Sequence, residues 1–151
     1  MRFVASSIVL SALAFSLSCA PAFAIDERID PQTMAALMVK AEQAQPKEQC
    51  FLYAELVHQM TELAGQQYSS GDGDRASETL RLVQKYAEKI HMGVAQDGKK
   101  LKNAEELMRH TSFRLTGILN AASYEDRQAL QATLKQLEQV QTELMMQVFK
   151  K

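Results

Sequence analysis

The sequence predicts an all-α protein of four to five helices arranged in antiparallel hairpins. Three observations predict it. Apolar residues recur at i, i+3, i+4 and i+7 through most of the chain. No stretch alternates apolar and polar residues for long enough to form a strand. Proline or a capping side chain stands where several of the periodic segments begin.

The first helix is expected over 31–44. Asp30 is its N-cap and Pro31 takes the first helical position, where a missing N–H costs nothing. Met34, Leu37, Met38 and Ala41 form its apolar face. Pro46 ends this helix and opens a second, which runs to about Ser69. There Tyr53, Val57, Met60 and Ala64 form one stripe, flanked by Leu52, Leu56 and Leu63. Ser69-Ser70-Gly71-Asp72-Gly73 is a loop, with Asp74 expected to cap the third helix.

Beyond Asp74 the spacing becomes strict. Ala76, Leu80, Val83, Ala87, Ile90 and Val94 recur at three and four, and Leu101, Ala104, Met108, Thr111, Leu115, Ile118 and Ala122 continue the same phase. A hairpin has no reason to keep phase across its turn, so continuity predicts one long helix over 74–122. The alternative is a turn at Asp97-Gly98, which gives a four-helix up-down bundle with hairpins 46–69/74–97 and 99–122/124–149. Ser123-Tyr124-Glu125-Asp126 resembles a capping box with Asp in place of Glu. A last helix to about Phe149 places Leu130, Leu134, Leu137, Leu144 and Val148 on one face, with Val140 beside them.

Residues 1–24 read as a cleaved secretory signal peptide. Arg2 precedes an apolar stretch over 4–17, and Pro21 stands before Ala22-Phe23-Ala24, an A-x-A cleavage site. The stretch is shorter than the roughly 18–20 residues that span a bilayer. The expected product is therefore a single periplasmic or secreted helical domain over 25–151, with no transmembrane segment. It keeps one cysteine, Cys50, which cannot close a loop within its own chain. Cys50 is expected to pack as a small hydrophobe, the alternative being an intermolecular disulfide.

Of the 151 residues, 46% are hydrophobic, too many for a disordered tail, and the formal net charge is −1. Such a balance argues against nucleic-acid binding, which needs an excess of Lys and Arg to neutralise phosphates. Charge is nevertheless uneven. Residues 25–98 carry seven basic and twelve acidic side chains, whereas residues 99–151 carry nine and six. That asymmetry favours contact between the halves or between molecules.

No residue set carries a strong chemical signature. A calcium reading of the Ser70-Gly71-Asp72-Gly73-Asp74 loop fails as an EF-hand, because Ala76, Ser77 and Val83 stand where a ligand oxygen, a glycine and a bidentate Glu are required. His58, His91 and His110 lie on different segments with no second His or Cys at ligand spacing. No metal site is expected, and His91, Met92 and His110 are the residues a metal or haem reading would use. Most of the other methionines fall on apolar stripes and read as core filling. Met145, Met146 and Phe149 are the exception, a candidate apolar patch for a partner.

Two resemblances can be stated. The segment 56–90, with Leu63, Ala64, Gly71, Ala76 and Leu80 at matching positions, resembles a single tetratricopeptide repeat, although a solenoid needs about three. Lys100-Leu101-Lys102-Asn103, Arg114-Leu115, Tyr124-Glu125-Asp126-Arg127 and Leu137-Glu138 with Leu144 and Phe149 are similar to a family of uncharacterised exported helical proteins from acidobacteria. That resemblance implies export and an all-helical fold, and no activity or ligand.

The expected function is non-catalytic: binding of a partner protein, or of itself, through helix faces, in the manner of a scaffold, coiled coil or chaperone. No catalytic residues and no cofactor are expected. The alternative is a small-ligand, metal or haem carrier using the interior of a helical bundle.

Overall fold

The computed structural model describes residues 29–92 and 98–150, except for the side chains of 91, 92, 98 and 99. Residues 1–24, read from sequence as a signal peptide, lie outside them. Five helices follow one another, α1 Pro31–Gln43, α2 Pro46–Ser69, α3 Gly73–Met92, α4 Gly98–Ala121 and α5 Arg127–Phe149, with no strand among the described residues.

The helix ends follow from local chemistry. The Asp30 carboxylate accepts from the backbone N–H groups of Gln32 and Thr33 at 3.3 and 3.1 Å and from the Thr33 hydroxyl at 3.0 Å. These bonds hold its carboxyl below the usual carboxylate range. α2 ends in a Schellman turn, where Asp72 N–H donates to Gln67 O at 2.9 Å and Gly71 N–H to Tyr68 O at 3.1 Å. Gly71 sits at φ 81°, in the left-handed region that glycine adopts without a Cβ clash. Asp72, not the expected Asp74, then caps α3, its Oδ1 accepting from Arg75 N–H at 3.4 Å. The helix therefore begins at Gly73, two residues earlier than a cap at Asp74 implied.

Before α5 the expected capping box is half formed. Ser123 Oγ accepts from Asp126 N–H at 3.3 Å, as a box requires. The Asp126 carboxylate takes the Ser123 hydroxyl at 2.6 Å, because its shorter side chain replaces the glutamate that would reach back to the Ser123 backbone.

The expected long helix over 74–122 does not exist. α4 runs parallel to α2 along its whole length, as shown by the pairs Glu48–Lys100, His58–Thr111, Glu62–Arg114 and Gly65–Ile118. A continuous helix would carry α4 beyond the start of α2 and make these contacts impossible. The chain instead reverses between Met92 and Gly98, and the two hairpins α2–α3 and α4–α5 lie side by side. α3 and α5 make the second parallel seam, where Gln84 Nε2 donates to Thr133 Oγ1 at 2.8 Å and Gln136 Nε2 to Gln84 O at 3.0 Å. α3 and α4 occupy one diagonal of this four-helix bundle, and α2 and α5 the other.

The core lies along the bundle axis. Leu56, Val57, Leu80, Val83, Ile90, Met108, Leu115, Leu130, Leu137 and Leu144 are almost wholly excluded from solvent. Met34, Met60 and Met108 are buried here as well, and Met38 packs against the cluster from its edge. α1 lies across the start of α2. Tyr53 and Tyr86 stack with ring centroids 5.9 Å apart, Lys89 Nζ sits 5.2 and 5.3 Å from the two rings, and Glu42 reaches Lys89 at 3.5 Å. No helix among the described residues is long and apolar enough to cross a membrane.

Candidate functional site

The parallel seam between α2 and α4 builds the candidate site. Both helices have 24 residues and lie in register, so residues 52 apart in sequence stand level. His58 and His110 are each the thirteenth residue of their helix, and both line an outward-facing groove of about 460 Å³. Phe51 and Leu107 give the groove its apolar floor. Glu55 and Gln59 flank it from α2, and Asn103 and Glu106 from α4.

Its electrostatics are set by which charges are already matched. Lys100 Nζ meets Glu48 at 2.6 Å, holding the Glu48 carboxyl below the usual range. Arg114 Nε donates to both carboxylate oxygens of Glu62 at 2.9 Å. The basic half of the chain thus meets the acidic half along this seam, as the charge asymmetry implied. Glu55 and Glu106 have no ion-pair partner among the described residues, so the groove carries two unmatched negative charges.

His58 is locked in place. Thr111 donates its hydroxyl proton to Leu107 O at 2.8 Å, so at 3.0 Å it can only accept from His58 Nδ1–H. Neutral His58 therefore carries its proton on Nδ1 and keeps Nε2 as an acceptor. Desolvation lowers its pKa below 6.5, with His110 and Arg114 adding repulsion and Glu62 and Glu55 opposing it.

His110, a ligand candidate from sequence, is exposed on the outer groove and does not face the bundle interior. His91 and Met92 close α3, but their side chains lie outside the described residues. No three His, Cys, Asp or Glu groups converge to hold an ion among the described residues. Cys50 is completely buried in the core. Met145, Met146 and Phe149 are 43%, 54% and 77% exposed on the last turns of α5, away from the groove. Phe113 on α4 is also exposed and escaped sequence reading, because its outward position follows only once the apolar stripe of α4 is fixed.

Comparison of the chain with protein-family models, with curated proteins and with solved structures finds no match to any of them.

Proposed function

We propose that the protein is an exported, non-catalytic helical protein that binds partner protein segments through helix faces, with the α2/α4 groove as the binding face. One observation carries this reading. The groove offers an apolar floor between two carboxylates that have no cation of their own among the described residues, while the other charges along the same seam are already matched. Such a surface recognises an apolar side chain next to a Lys or Arg. Export rests on the signal-peptide pattern of residues 1–24, and the non-catalytic character on the lack of a nucleophile–base pair in the sequence. The interior-carrier alternative is weakened by His110, which faces the outer groove rather than the bundle axis.

The test is crosslinking in the exporting cell with a photoreactive residue at Gln59 or Asn103 on the groove rim. The expected result is a discrete adduct lost when Glu55 and Glu106 are both changed to Lys. Recovery of only the unlinked monomer at both positions would sink the reading.

A further inference from the structure

We propose that the occupant of the α2/α4 groove is the last turn of α5 from a second copy of this chain, with Phe149 on the groove floor and Lys150 against Glu55 and Glu106. The inference rests on the groove being a binding face and adds the identity of what binds.

Both halves of the contact are present on one molecule. The groove needs an apolar side chain beside a cation. The last turns of α5 present Phe149, 77% exposed, directly followed by exposed Lys150, with Met146 one turn before. The volume of about 460 Å³ holds a phenyl ring together with the stem of a lysine. Charge complementarity selects this end over the other exposed aromatics. Tyr124 is followed by Glu125 and Asp126, which the two groove carboxylates would repel, and Phe113 is followed by Arg114, whose guanidinium is already held by Glu62.

The two surfaces cannot meet within one chain. α5 packs on α3 and α4 and makes no contact with α2. It is helical through Phe149, so its last turn is held on the far side of the bundle from the groove. The groove and the α5 end are different patches, so the contact is heterologous. A two-fold pair forms it twice and closes, a higher cyclic rotation closes a ring, and any other rotation propagates a chain of copies.

The experiment is sedimentation of the purified protein over a wide concentration range, at low and high salt. The expected result is reversible association that weakens with salt. Phe149→Ala with Lys150→Glu should raise the dissociation constant by about tenfold or more, and so should Glu55→Lys with Glu106→Lys. These positions lie on the surface or at the groove edge, and circular dichroism confirms that each variant is folded. Mixing Lys150→Glu protein with the Glu55→Lys, Glu106→Lys protein should restore association between the two, because the charges are then exchanged. A protein that stays monomeric at hundreds of micromolar, or association indifferent to both sets of substitutions, overturns the inference. Monomeric protein that still gives a groove adduct with another protein in the cell removes the second copy as occupant and leaves the binding face standing. Monomeric protein without any adduct removes both.

Discussion

His58 on α2 is tied to Thr111 on α4 by a 3.0 Å hydrogen bond whose direction is fixed, since the Thr111 hydroxyl is committed to Leu107 O. The bond crosses the seam at half height, and it is burial that favours the neutral imidazole. Protonating His58 leaves the hydrogen bond intact but places a charge in a half-buried site, beside Arg114 and His110 and only partly offset by Glu62 and Glu55.

This environment makes stability depend on pH. The folded-state pKa of His58 lies below its ordinary value of 6.5. As pH falls below 6.5 the unfolded chain takes up the proton first, so stability declines until pH has passed through the folded-state pKa. Melting temperature should therefore drop between pH 7.5 and 5 by more in the wild type than in His58→Gln, which cannot titrate. Parallel melting curves against pH for the two proteins would show that His58 is not responsible.

Ser112 provides a second prediction. Its hydroxyl is buried on α4 with no hydrogen-bond partner among the described residues. A buried polar group left unsatisfied costs about 1–3 kcal/mol, and alanine also has the higher helix propensity. Ser112→Ala should stabilise the protein by about 1 kcal/mol in a urea titration. A loss of stability would mean that the hydroxyl is satisfied in solution.

Cys50 should be silent as long as the fold is intact. It lies at zero exposure in the core, where no partner thiol can approach it. Native protein should react slowly with a maleimide and quickly in denaturant, and should run as a monomer on a non-reducing gel. Cys50→Ser should leave the association state unchanged. Rapid labelling of the native protein would contradict the burial.

The helices were legible because their punctuation is local. Pro31, Pro46, the Ser70-Gly71 turn and Ser123 mark boundaries by chemistry that acts over three or four residues. Reversal between α3 and α4 was not legible from phase. Every helix of a bundle turns its apolar stripe to the same axis, and Val94 and Leu101 happen to be seven residues apart, the spacing a continuous helix would also show. Of the turn dipeptide Asp97-Gly98, Gly98 opens α4, whereas Asp97 lies outside the described residues. The groove was hidden for a related reason. His58 and His110 are 52 residues apart, and no spacing rule joins them until two helices of equal length are known to lie parallel and in register.

That register gives the last prediction, because Gly65 and Gly117 are both the twentieth residue of their helix and yet should respond oppositely to substitution. Gly65 is buried in the seam, where an added Cβ would meet Ile118 Cδ1 at 2.9 Å and Cγ1 at 3.3 Å. The nearest atom is the flexible end of Ile118, so the strain of Gly65→Ala should be largely offset by the gain of about 1 kcal/mol in helix propensity. Gly65→Leu has no such escape and should cost about 1–3 kcal/mol by forcing α2 from α4. Gly117 is exposed on α4 with nothing within 4 Å of an added Cβ. Gly117→Ala should therefore stabilise the protein by about 1 kcal/mol. Thermal melts of the three variants test the parallel register directly, since it is α4 alongside α2 that makes one glycine crowded and leaves the other open. A Gly65→Leu protein as stable as the parent would mean that the two helices do not meet at this level.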